Sequence, residues 1–153
     1  MAQRVVIIGG GVTGLSIAYH LARAGERDVV VLEREQIASG ATGKSAGGIR
    51  LQFSTEINDR LSLPSIARFE HFAEELGVDP AFRQVGYLLL ITEERDLAPF
   101  ERSLALWERL GVPARRLDAA GAKALFPELV VDDVRLATFC PKDGYADPTS
   151  ILN

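Results

Sequence analysis

Six residues near the start of the chain, Gly9-Gly10-Gly11-Val12-Thr13-Gly14, lie between a β-branched apolar run, Arg4 to Ile8, and a segment with apolar residues at helical spacing. Leu15, Ala18 and Ala22 fall on one helix face with Leu21 nearby, and Gly25 follows as a C-terminal stop. Val29 to Leu32 reads as a second apolar strand, so residues 4–33 form one βαβ unit whose first strand is expected to be buried on both faces. The G-x-G-x-x-G spacing gives each glycine a task. Gly9 permits the tight turn out of the strand, Gly11 leaves the backbone open to a close-approaching group, and Gly14 lets the helix pack closely on the strand. Such a turn exposes unpaired N–H groups at the positive end of the helix dipole, which favours an anion such as a dinucleotide pyrophosphate. Glu33, 19 residues past Gly14 at the end of the second strand, can accept hydrogen bonds from a ribose and disfavours a 2′-phosphate there. These residues leave FAD and NAD both open.

From Ser39 to Gly48 the chain reads Ser-Gly-Ala-Thr-Gly-Lys-Ser-Ala-Gly-Gly. That run is too small and polar to pack a core and too short for a flexible linker, so it reads as a loop whose backbone another group approaches. Ile66, Phe69, Ala73 and Leu76, at spacings of three and four, predict a helix that ends at Gly77 and is kinked or restarted at Pro64. Val85 to Ile91 predicts a strand, and Leu97, Phe100, Leu104 and Trp107 predict a helix closed by Gly111 and Pro113. Asp118 caps a short helix ending near Pro127, Val134 to Phe139 reads as a strand, and residues 141–144 as a turn. Asp147-Pro148 is an N-cap with proline at the first helical position, opening a helix of little more than one turn. A helix so short is unstable by itself, so the chain is expected to be the front part of a longer protein or to be completed by a second chain.

Four stretches together resemble the D-amino acid oxidase family of FAD-dependent oxidoreductases, which includes glycine oxidase and the sarcosine oxidases and dehydrogenases. They are the apolar strand with its glycine turn at 5–14, Val-Leu-Glu-Arg at 31–34, the run from Ser39 on to Gly48-Ile49-Arg50, and Asp-Gly-Tyr-Ala-Asp-Pro at 143–148. The resemblance runs the length of the chain. It implies an α/β fold, with a Rossmann-like FAD-binding βαβ unit plus part of an inserted substrate-domain sheet, incomplete without further residues or a partner. Residues 1–83 would be the front of the FAD-binding domain, 84–142 part of the substrate-binding domain, and 143–153 the start of the return. The implied cofactor contacts are Gly9, Gly10, Gly11, Val12, Thr13 and Gly14 around the pyrophosphate, and Glu33 and Arg34 at the adenosine ribose. Ser39, Gly40, Ala41 and Thr42 would pass the pyrophosphate, with Ser45, Ala46, Gly47 and Gly48 against the flavin ring. Arg50 and Tyr87 would lie in the vicinity of flavin or substrate. The implied reaction is oxidation of a small amine or amino acid by hydride transfer to flavin, with oxygen or another acceptor taking the electrons. No residue stands out as a catalytic base.

The remaining features narrow the alternatives. A formal net charge of -4, with both signs interleaved, disfavours nucleic acid as a partner. No apolar stretch approaches the ~20 residues of a membrane span, and the expected location is cytoplasmic. Cys140, the single cysteine, reads as a small buried apolar residue, and His20 and His71, each within a predicted helix, lack neighbours at metal-ligand spacing, so no metal is expected. Tyr145, Trp107, Phe69, Phe72 and Phe100 read as packing residues. Two other functions stay open: an NAD-dependent dehydrogenase using the same glycine turn, and a non-catalytic split or truncated piece that supplies half of a flavin site.

Overall fold

The computed structural model describes residues 4–152, which divide into two compact units. The first holds the chain up to Gly47, Ala73–Ala81, and the residues from Ala146 onward; the second holds Gly48–Phe72 and Phe82–Tyr145. Packing thus groups residues 48–72 with the second unit, whereas the sequence places them ahead of a boundary at 83.

In the first unit β1 (Val5–Ile8) and β2 (Val29–Leu32) pair in parallel from Val5↔Val29 to Ile8↔Leu32. Helix α1 (Val12–Arg23) crosses between them. Its end is set by Gly25 at φ +95°, a left-handed conformation that costs a side-chain-bearing residue energy. The Gly25 N–H donates to Ala22 O and the Glu26 N–H to Leu21 O, which satisfies two of the helix's last carbonyls. Along the strands Val5, Ile7, Val29 and Val31 are half-buried, whereas Val6, Ile8, Val30 and Leu32 are exposed, Ile8 to 88%. Burial of β1 on both faces, expected from its unbroken apolar run, is therefore corrected: one face is bare, because no layer from the described residues covers it.

The second unit contains β3 (Gly48–Ile49), α2 (Glu56–Glu70), β4 (Tyr87–Ile91), α4 (Glu94–Leu110), β5 (Arg115–Leu117), α5 (Ala119–Leu125), β6 (Leu136–Cys140) and β7 (Gly144–Tyr145). The short α3 (Phe72–Leu76) begins at its boundary with the first unit. Strand β6 lies between β4 and β5 in an antiparallel sheet, with Tyr87↔Cys140 through Ile91↔Leu136 on one side and Arg115↔Phe139 through Leu117↔Ala137 on the other. Strands β3 and β7 pair separately, Gly48↔Tyr145 and Ile49↔Gly144. Leu51, Ile66, Trp107, Val112 and Cys140 form the core, with Leu63, Phe100 and Leu104 packed against it. Full burial of a large apolar side chain there stabilises by roughly 1.5–3 kcal/mol. The Trp107 indole N–H keeps its hydrogen bond by donating to Phe53 O at 2.8 Å.

Several sequence expectations are adjusted. Pro64 does not break the helix: α2 runs through it, the Ser65 hydroxyl donates to Leu61 O at 2.7 Å, and Ile66 is buried on the core, so packing outweighs the missing N–H. The break comes at His71, which caps α2 and lies outside any helix, just before the chain passes to the first unit. Helix α4 likewise continues through Pro99, starting at Glu94. Strand β4 begins two residues later than Val85, and β6 is shifted to Leu136–Cys140. Asp118 caps α5 as expected, its Oδ1 accepting from the Gly121 N–H at 2.7 Å. Asp147 accepts from the Thr149 and Ser150 N–H groups, both at 3.1 Å, but the residues after it form a capped turn rather than a helix.

Candidate functional site

In the first unit the glycine turn, the start of α1, Glu33 and the loop after it converge. Gly9, at φ +110°, turns the chain out of β1 while its N–H donates to Leu32 O at 2.8 Å. A Cβ at Gly14 would overlap the Gly9 carbonyl oxygen, so only glycine lets the helix sit this close to the turn. The Gly10 N–H donates to Glu33 Oε2 at 2.7 Å and the Glu35 N–H to Glu33 Oε1 at 3.0 Å. These two backbone donors, Glu35 first, hold the exposed Glu33 carboxyl below the usual range. Glu33 is thus ionised and fixed beside the turn, with further acceptor lone pairs remaining.

The loop closes over the same place. Thr42 Oγ1 accepts from the Val12 N–H at 3.0 Å, and Ala38 donates through its N–H to Gly10 O at 3.2 Å. Ser39 is anchored on Gln36 O at 3.1 Å, and the Ser45 hydroxyl donates to Thr42 O at 2.9 Å while accepting from the Gly47 N–H at 3.3 Å. Gly40, Ala41, Ala46 and Thr13 are exposed, and Arg34 pairs with Glu35 at 3.2 Å. The N-cap of α1 is Gly11, which carries no side chain to cap the first turn. A Cβ on Gly11 would meet Thr42 Oγ1 at 3.1 Å, and one on Gly9 would meet nothing within 4 Å. Exposed backbone at a helix start and an adjacent fixed carboxylate fit a dinucleotide's pyrophosphate and ribose. Gly47 has a different reason for being small, since a Cβ there would overlap the Ala146 carbonyl oxygen.

In the second unit Gly48 opens β3, so the loop expected to run to residue 48 ends one residue earlier. Tyr87, on β4, brings its hydroxyl within 2.6 Å of where a Gly48 Cβ would lie. Arg50 follows β3 with its guanidinium 4.8 Å above the Phe53 ring. It lines a cleft of about 730 Å³ together with Arg102 and Arg109, over apolar Leu89, Phe100 and Trp107. Glu56, also in that lining, is bonded by Arg109 and Arg60, both at 2.8 Å, which hold its carboxyl at about 2. Tyr145 is half-exposed and contributes its backbone to the pairing with Gly48.

Sequence reasoning missed a buried polar network behind these residues. Asp143 Oδ1 accepts from the Leu51 N–H at 2.7 Å, and Oδ2 from Gln52 Nε2 at 3.1 Å. Gln52 Nε2 also donates to Tyr87 O at 3.0 Å, while its Oε1 accepts from the Thr138 hydroxyl at 2.6 Å. Asp143, Gln52 and Thr138 are all buried, and burial pushes the Asp143 carboxyl above its ordinary range against those donors. Cys140 beside it is fully buried, as expected, and burial followed by the Asp143 charge pushes its thiol up to about 12. Asp143 stands in a quoted motif, but neighbours 91 and 92 residues away leave no local pattern to find.

A family model described as FAD dependent oxidoreductase matches residues 4–153. Mitochondrial dimethylglycine dehydrogenase of Rattus norvegicus is 35% identical over 147 residues, covering 95% of this chain and 17% of that protein. The crystal structure of L-proline dehydrogenase from P. horikoshii superposes with a TM-score of 0.88 at 36% identity, covering 98% of this chain and 39% of that one. Glycine oxidase from Geobacillus kaustophilus superposes at 0.82 with 28% identity, over 97% and 41%. The chain therefore spans about a sixth to two-fifths of the length of these relatives.

Proposed function

The chain belongs to the FAD dependent oxidoreductase family, and from that premise we propose that the whole protein oxidises a small amine or amino acid at the C–H bond next to nitrogen. FAD, when bound, supplies the oxidant, accepting a hydride and passing the electrons on to oxygen or another acceptor. Membership of an FAD-dependent family sets aside the nicotinamide alternative.

The observation that carries this reading is the assembly around Glu33: a carboxylate fixed by the Gly10 N–H at 2.7 Å, beside a helix start whose N-cap, Gly11, has no side chain. In this reading the backbone from Gly9 to Gly14 binds the pyrophosphate, and Glu33 orients the adenosine ribose through its hydroxyls, with Arg34 beside it. Thr42 holds the loop on the start of α1 through the Val12 N–H, and Ser39, Gly40 and Ala41 follow the phosphates. The small residues Ser45 to Gly48 present their backbone to the flavin ring. Arg50 and the cleft it lines, within the second unit, would take the substrate. The relatives named for dimethylglycine, L-proline and glycine support an amino-acid-sized substrate.

Completion of the site by residues outside this chain, whether in the same polypeptide or in a second one, belongs to the same proposal. Its support is the bare face of Val6, Ile8, Val30 and Leu32, an apolar strip of the kind that a further layer covers. A cytoplasmic location is also part of the proposal, and cell fractionation tests it. The deciding experiment is a visible absorption spectrum of the purified protein, stripped of flavin and titrated with FAD. Bound-flavin bands are expected, with bands that appear only after the remaining residues are supplied supporting completion. A protein that stays colourless with those residues present refutes the reading.

A further inference from the structure

Gly48 lacks a side chain for one of two reasons: the flavin ring occupies the space, or the protein does. The second reason has a visible agent. A Cβ built on Gly48 would lie 2.6 Å from the Tyr87 hydroxyl oxygen and 3.6 Å from the ring carbon that bears it. The first distance is below any normal contact and the second is ordinary van der Waals contact, so the hydroxyl alone is the obstacle. Both backbones are held in place, so any relief has to come from the Tyr87 side chain. The Tyr87 backbone is paired with Cys140, and its carbonyl accepts from Gln52 Nε2 at 3.0 Å. Gln52 is itself held by Asp143 at 3.1 Å and Thr138 at 2.6 Å, while Gly48 is paired with Tyr145.

We propose that Tyr87 is a positioning residue whose hydroxyl seats the Gly48 end of the flavin-facing run, and that residue 48 is glycine because of Tyr87 rather than because of the cofactor. The flavin role rests on the FAD reading above; the steric claim stands on the distances alone. Gly48→Ala then drives Tyr87 and the run apart, and Tyr87→Phe removes the obstacle while keeping the ring.

The test is a double-mutant cycle on the flavin-loaded protein, read by FAD titration and by the position of the visible flavin band. Gly48→Ala is expected to weaken FAD binding at least about tenfold and to shift the band. Gly48→Ala combined with Tyr87→Phe is expected to return both to within about threefold of Tyr87→Phe alone. A double variant as weak as Gly48→Ala overturns the proposal, because the flavin itself then needs the space. Unchanged binding in Gly48→Ala overturns it too. Urea midpoints of the same four proteins without FAD give the second readout: Gly48→Ala lowers the midpoint in the Tyr87 background and much less in the Tyr87→Phe background, and additive shifts overturn the steric claim. A parent protein that takes up no FAD overturns the flavin role together with the reading it rests on, while the urea cycle still decides the steric one.

Discussion

Gly14→Ala tests whether the placement of α1, rather than its mere presence, holds the cofactor. The new Cβ would overlap the Gly9 carbonyl oxygen and lie 3.2 Å from the Gly9 carbonyl carbon and 3.3 Å from Ile7 Cγ2. Close-packed atoms do not interpenetrate, so the start of the helix must retreat by about 1 Å or the turn must open by as much. Overpacking of this kind costs roughly 1–3 kcal/mol of stability. A helix-end N–H bonded to a phosphate at a usual ~2.9 Å would then stand near ~3.9 Å, where it is no longer a hydrogen bond. Losing one charge-assisted bond is worth about 1.5–3 kcal/mol, or roughly 10- to 150-fold in FAD affinity. FAD titration followed by absorbance measures this, alongside a urea melt to confirm folding. Gly25→Ala is the control on the same helix. Its φ of +95° makes alanine strained, yet a Cβ there meets nothing within 4 Å, so stability falls by about 1 kcal/mol with FAD affinity unchanged. If folded Gly14→Ala binds FAD within about threefold of the parent, close packing of helix on turn is not what the third glycine provides.

Three further outcomes follow from the electrostatics and burial. Glu33→Gln is expected to weaken FAD binding by about tenfold, because a charged acceptor for the ribose is lost and the amide presents a donor toward the Gly10 N–H; isothermal titration reads it, and unchanged affinity refutes the ribose role. Glu56, lowered from 4.5 to about 2 chiefly by its bond to Arg109, contributes stability that is present above 4.5 and lost as pH falls toward 2. Glu56→Gln should therefore flatten that part of a plot of urea midpoint against pH, and an unaltered slope shows that the pair contributes nothing to folding. The Cys140 thiol, fully buried and pushed up to about 12, should react with a disulfide reagent only slowly in the native protein and at a free-thiol rate in denaturant. Equal rates in both conditions contradict the packing of β6.

What the sequence disclosed depended on how locally each feature is determined. The glycine turn, α1 with its Gly25 stop, Glu33 and the Asp118 cap each draw their geometry from residues within a few positions or within one βαβ unit, so periodicity and spacing found them. Strand β5 escaped because Arg115-Arg116-Leu117 has no pattern of its own and is extended only through pairing with β6. Strands β3 and β7 escaped for the same reason at greater distance, two residues each joined across most of the chain. Proline misled in the other direction: Pro64 signals a kink or restart by local rules, yet burial of Ile66 on the core carries α2 through it. Small residues carried the subtlest ambiguity. Composition showed that 39–48 must leave room, but not for what. A Cβ on Gly40 would meet nothing within 4 Å, which leaves room for a ligand, whereas Gly47 yields to the Ala146 carbonyl and Gly48 faces the Tyr87 hydroxyl. A run of small residues thus combines cofactor clearance at one end of the site with packing of the chain on itself at the other, and only the three-dimensional neighbours separate the two.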